Sequence, residues 1–254
     1  MNILDAVILG IVEGITEFLP ISSTGHMISV SSILGIKQDT FTKTFEIAIQ
    51  LGAILAVVSI YKDKLIKDFT LWKKLIAAFV PTGILGLLLH SYVEKLFSPL
   101  VVSIALIFWG IIFIVIELLY KNKEHTIEKP EDINYLKAIM IGVFQSLAMI
   151  PGTSRSGATI IGGLVLGLNR VAATEFSFLL AIPTMFAATG FELLKNFKEL
   201  SVENFASLGI GFITAFIFAF ISVKWLLKFI KTHTFIPFGI YRIAVGILFL
   251  TLLL

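Results

Sequence analysis

A chain of 254 residues that is 57% hydrophobic and only 15% charged is too apolar for a soluble globular domain, where about a quarter of residues carry charge. Its net charge of +3 is small, and its lysines gather in short loops rather than along one face, a topology signal that argues against nucleic acid as a partner. With no cysteine, disulfides, thiolate metal sites and cysteine nucleophiles are all excluded.

Windows of about 20 apolar residues recur, so an all-α polytopic membrane protein is expected. The N-terminus, Met1 to Asp5, lacks the basic region of a cleavable signal and is read as mature sequence. Apolar segments then follow near 3–19, 22–35, 41–61, 74–91, 98–120, 135–150, 154–168, 172–194, 205–230 and 236–254. The first, second, sixth and seventh are short and are broken by Pro20 or by Pro151 and Gly152. These pairs read as re-entrant hairpins at about 3–35 and 135–168 that turn inside the membrane. Non-helical backbone at that depth is tolerated only where protein or a wet cavity surrounds it, so the hairpin tips should line a cavity.

An offset of 132 residues pairs Gly10 with Gly142, Glu13 with Gln145, Ser22 with Ser154, Thr24 with Ser156, Gly25 with Gly157 and Ile28 with Ile160. Each half, 1–120 and 135–254, continues from its hairpin into three longer segments, with a hydrophilic, solvated connector at 121–134 between them. An odd number of spans turns the second half upside down relative to the first, giving an inverted-topology repeat whose functional site lies at the repeat interface. Thirteen basic residues fall in the loops at 61–74 and 121–137, at Arg170 and in 224–231, against five in the loops at 35–43, 91–98 and 195–203. The first set is therefore expected in the cytoplasm and both termini outside.

Two polar motifs lie inside the hairpins: Glu13 to His26 and Gln145 to Thr159. Near the bilayer centre Glu13, Glu17 and Arg155 together oppose insertion by about 7–10 kcal/mol, a cost most easily kept when the charges meet a ligand. Glu13 and Glu17, spaced i,i+4, project from one helix face. They repel unless one is protonated or a cation sits between them; a divalent ion with oxygen ligands, Mg or Ca, fits and could bridge to phosphate oxygens. The plainer alternative is a carboxylate pair that hydrogen-bonds neighbouring helices. Ser22, Ser23, Thr24, Gly25 and His26 offer hydroxyls, helix-start N–H groups and a base within one turn. Small-residue helix packing would explain the Ser, Thr and Gly but not His26. Arg155, flanked by Thr153, Ser154, Ser156 and Gly157, is a fork for phosphate at a helix N-terminus, or else a partner that neutralises Glu13 or Glu17. Glu46, Gln50 and Glu175 stand behind the motifs as supporting partners or as helix-stabilising hydrogen bonders. Arg242, at the start of the last segment, is expected to snorkel; Trp72 and Trp225 read as interfacial anchors; His90, His125 and His233 as solvated.

These motifs, together with Phe45, Glu46, Gln50 and Gly52, resemble the undecaprenyl-pyrophosphate phosphatase (bacitracin-resistance) family of bacterial inner-membrane enzymes over the whole chain. The resemblance implies removal of one phosphate from a polyprenyl pyrophosphate released by cell-wall synthesis, a divalent metal, an outward-facing site and a role in bacitracin tolerance. It carries functional positions onto Glu13, Glu17, Ser23, His26, Ser154, Arg155 and Thr159, with no departure at any of them. The expected mechanism has Arg155, Ser154, Ser156 and Thr159 holding the pyrophosphate and Glu13 and Glu17 binding the metal or orienting the attacking group. Ser23 activated by His26, or a water activated by the carboxylates, then attacks the terminal phosphorus. A homodimer stays open. The main rival is a lipid-phosphate flippase or secondary transporter, since broken helices in inverted repeats are transporter architecture. A phosphatidic-acid type phosphatase would need a second histidine after its arginine, and 156–170 has none.

Overall fold

The computed structural model describes residues 1–37, 39–120, 125–196 and 205–253. Ten α-helices follow in order: α1 (Ile3–Thr16), α2 (Ser23–Ile33), α3 (Thr40–Lys67), α4 (Phe69–Glu94), α5 (Pro99–Tyr120), α6 (Tyr135–Ser146), α7 (Arg155–Val165), α8 (Arg170–Asn196), α9 (Phe205–Phe229) and α10 (Ile236–Leu253). Five are long and apolar enough to cross a membrane: α3, α4, α5, α8 and α9. The expectation of six is thus met by five, because the apolar stretch of α10, Ile236–Thr251, belongs with the shorter helices.

Helix starts follow local chemistry. Asn2 and Asp5 form a capping box on α1, and Asp39, Asp68, Asn134 and Asn169 each accept an N–H from the first turn of α3, α4, α6 and α8. The two hairpin-return helices differ. Ser22 and Ser154 cap α2 and α7 through Gly25 N–H and Gly157 N–H, and both take left-handed backbone, φ +71° and +75°. No other non-glycine residue among those described has positive φ. Such strain persists only where surroundings over-determine it.

Lipid tails offer no hydrophobic drive between helices, so contact rests on small residues that let backbones approach. The pairing is reciprocal between the halves: α1 lies on α9 and α6 on α4, while α5 packs along α10 and α3 along both α8 and α9. At the α5–α10 crossing a Cβ on Gly110 would sit 2.7 Å from the Gly239 carbonyl oxygen, and one on Gly239 the same distance from the Gly110 oxygen. A Cβ on Gly142 of α6 would run into the Ala78 carbonyl of α4, backbone that cannot move aside. Gly142→Ala should therefore cost about 1–3 kcal/mol, whereas Gly190→Ala, facing open space, should be near neutral; thermal unfolding in detergent distinguishes them. Outward faces carry apolar stripes for lipid, such as Ile104, Phe108, Ile111 and Val115 on α5 and Ile213, Ile217 and Ile221 on α9.

The connector corrects one expectation. Over its described part, 125–134, it is docked: Ile127 and Leu168 form a parallel bridge, and Pro130 and Ile133 are buried. Glu131 pairs with Lys64 at 2.5 Å, and Lys64 also reaches Glu175 at 3.3 Å. Arg170, counted above as a loop cation, forks onto Glu117, which also accepts the Phe235 N–H at 2.8 Å. Connector residues 121–124 and most of the 195–203 loop lie outside the described residues.

Candidate active site

α1 ends at Glu17, whose N–H still bonds the Glu13 carbonyl; the chain then turns through Phe18 to Ile21 and restarts as α2. The second hairpin repeats the course, α6 ending in a short 3-10 turn, Leu147–Met149, before Pro151 and Gly152 lead into α7. The two turns meet. Arg155 Nη2 donates to Glu17 Oε1 at 3.0 Å, and Ser23 Oγ donates to Glu17 Oε2 at 2.5 Å. One carboxylate thus joins an arginine of the second hairpin to a serine of the first. Arg155 is braced by Nη1 on the Ser177 carbonyl at 3.1 Å and lies 5.5 Å over the Phe18 ring, itself edge-on to Phe178.

A cavity of about 280 Å³ opens beside this chain of bonds, lined among others by Glu17, Ser22, Ser23, Thr24, Gln50, Ser154 and Arg155. Glu13 lies behind Glu17, 1% exposed and interacting with it and with Glu46, and its Oε1 has no hydrogen-bond partner. Its counterpart Gln145 is satisfied: Nε2 donates to Thr82 Oγ1 and Oε1 accepts from Thr184. An orphaned carboxylate oxygen beside a second carboxylate is a hard-oxygen donor set that suits a divalent cation completed by phosphate oxygens. No group of three or more His, Cys, Asp or Glu able to hold a metal occurs among the described residues, so the protein offers two carboxylates and a ligand would supply the rest.

Other expected site residues are placed differently. His26 turns away from Ser23: its Nδ1 is 2.8 Å from the Ser22 carbonyl, which fixes Nδ1 as the protonated nitrogen, and Nε2 accepts from Tyr241 Oη at 2.7 Å. Ser156 is fully buried and donates to the Leu19 carbonyl at 3.0 Å, so the nearby Ser154 hydroxyl gives its proton to Ser156. Thr159 bonds Ser177 Oγ at 2.6 Å, bracing α7 to α8. Neither Ser156 nor Thr159 lines the cavity: Ser156 joins the second hairpin to the first, and Thr159 joins α7 to α8. Glu46 accepts from Ser31 at 3.4 Å, and Glu175 turns to Lys64. Trp225 is half exposed, and the Trp72 indole donates to the Leu65 carbonyl. His233 is exposed, His125 half-buried, and the His90 side chain is outside the described ones.

Arg242 is the clear correction. Instead of snorkelling it is fully buried, with Nη1 on the Pro20 carbonyl at 3.1 Å and Nη2 on the Gly152 and Thr153 carbonyls at 2.7 and 2.9 Å. Its place within an apolar segment was the available signal, since an intramembrane cation is a functional candidate by default.

Fold and pocket together define a multi-pass membrane protein whose charged groups converge where two helical hairpins break. A family model for the bacitracin resistance protein BacA matches residues 6–248, and the chain belongs to that family. It is similar to the undecaprenyl-diphosphatases of Wolinella succinogenes (61% identical, covering 98% of each chain), Persephonella marina (58%, 100% of each) and Aquifex aeolicus (54%, 96% of each).

Proposed function

We propose that this chain hydrolyses undecaprenyl pyrophosphate, a polyprenyl pyrophosphate, to the monophosphate and inorganic phosphate, recycling a lipid carrier for cell-wall synthesis. The observation that carries the reading is the Ser23–Glu17–Arg155 chain of hydrogen bonds at the cavity, in a family whose curated relatives bear the name of that activity. Arg155 binds the phosphate, exchanging its resting partner Glu17 for the ligand, with the N-terminus of α7 and Ser154 behind it. The Ser23–Glu17 bond supports Glu17 as the base that takes the Ser23 proton while the serine oxygen attacks the terminal phosphorus. The anhydride P–O bond breaks, the lipid monophosphate leaves, and water releases the serine-bound phosphate. His26, held on Tyr241, supports the start of α2 rather than deprotonating Ser23. A divalent ion, Mg or Ca, would be held by Glu13 and Glu17. When bound it would neutralise phosphate charge.

The matched left-handed serines and the reciprocal α1–α9 and α6–α4 packing support two inverted repeats, 1–120 and 135–254, each a re-entrant hairpin with its longer helices. The basic loops support a cytoplasmic-membrane protein with the connector inside and the pocket opening outward.

Phosphate release from undecaprenyl pyrophosphate by the detergent-purified protein tests the reading. No release with metal supplied and helical signal intact would leave lipid-phosphate transport as the function. Chelation should abolish release and added Mg or Ca restore it; full activity after exhaustive chelation would remove the metal from the scheme.

A further inference from the structure

Arg242 heads the fully buried side chains by size, and every hydrogen bond it makes goes to a backbone carbonyl; among the described residues no carboxylate pairs with it. A charge so placed is costly in a membrane interior, so its partners are informative. Pro20 lies two residues before Ser22, and Gly152 and Thr153 lie just before Ser154. These carbonyls belong to chain that has left one helix and not begun the next, where no intrahelical N–H is available. The residues that follow them are the two left-handed serines, whose strained backbone needs external enforcement. The side chain itself is anchored from behind by the close α5–α10 crossing at Gly110 and Gly239.

We propose that Arg242 is a positioning residue of the phosphate pocket: its guanidinium clamps both helix breaks in one register, so that Ser23 and Glu17 of the first hairpin face Arg155 of the second. The assignment of a purpose to that register rests on the phosphatase reading above; the clamp itself does not. Its neighbour Tyr241 extends the clamp to α2 through His26. A lysine cannot replace it, because one ammonium cannot present the planar fork that reaches carbonyls on two separate turns.

The absence of native cysteine permits a direct test. Cysteines at Ile33 on α2 and Leu147 beyond α6, both exposed, carry paired spin labels whose separation reports how one hairpin sits on the other. The unsubstituted protein should give one narrow distance distribution, Arg242→Met a broad one and Arg242→Lys an intermediate. In the same preparations Arg242→Met should lower kcat by at least about tenfold with KM within about twofold, the mark of a lost alignment rather than lost binding. A general loss of stability would lower the melting temperature and leave the width of the folded fraction unchanged. An unchanged distribution, or turnover within about twofold of the unsubstituted protein, overturns the proposal. If Arg242→Met cannot be recovered from the membrane, Arg242→Lys is read by the same criteria. Should the unsubstituted protein release no phosphate, the phosphatase reading fails, and the distance distributions alone still decide the clamp.

Discussion

Arg155→Ala is expected to lower kcat for undecaprenyl pyrophosphate by about 10²–10³-fold, the usual loss when a group aimed at developing transition-state charge is removed. It should also destabilise the fold. Arg155 is the cation bonded to Glu17, and Glu17 touches a second buried carboxylate, so truncation leaves two acids together with no counter-charge. Breaking a buried pair in this way costs about 3–5 kcal/mol. Arg155→Lys should recover part of the stability and little of the turnover, because an ammonium lacks the fork that holds the Ser177 carbonyl and Glu17 together. Phosphate release and thermal unfolding of the two variants, measured on the same preparations, check both statements. Turnover of Arg155→Ala within tenfold of the parent would remove Arg155 from the phosphate site.

Glu17→Gln should reduce turnover by about 10²–10⁴-fold, the range for removing a general base, since an amide cannot take the Ser23 proton. The shape of the side chain is kept, so the Ser23 hydroxyl still has an acceptor and α1 still ends where it does. The double variant Glu17→Gln with Arg155→Met removes both charges at once. It should be more stable than Arg155→Ala while remaining inactive, because Glu13 is then left without a second charged acid at position 17 beside it. A rapid-quench search for phosphate on Ser23 completes the test; its absence during single turnover would assign the attack to water instead.

Much of this organisation was legible because its signals are local. Hairpin breaks follow from Pro20 and from Pro151 with Gly152, and the 132-residue offset anticipated that Ser22 and Ser154 would cap equivalent helices. Arg155 could be matched to Glu13 or Glu17 because buried opposite charges at hairpin tips have few alternatives, and the structure selects Glu17. What escaped detection depends on distant contacts. His26 meets Tyr241 across 215 positions of sequence, and Arg242 meets Pro20 across 222. Neither spacing leaves a periodic trace, and an arginine near a helix start looks the same whether it snorkels or turns inward. The bonds of Ser156 and Thr159 were hidden for another reason: a hydroxyl beside a phosphate fork and one that pins two helices have the same sequence appearance. The docked connector was hidden by its own charges, since Glu131 looks solvated until Lys64 is seen beside it.

The exchange of hairpins between halves bears on how the chain is made. α1 packs most extensively against α9, made about 190 residues later, and ribosomes add about 5–20 residues per second. For roughly 10–40 seconds the first acidic helix therefore waits at the translocon or in the bilayer without its main packing partner, although Arg155, the counter-charge of Glu17, is made before α9. Nascent chains stalled before α9 should be more readily degraded than those stalled after it, so quality control of this enzyme is tied to a late step of its synthesis.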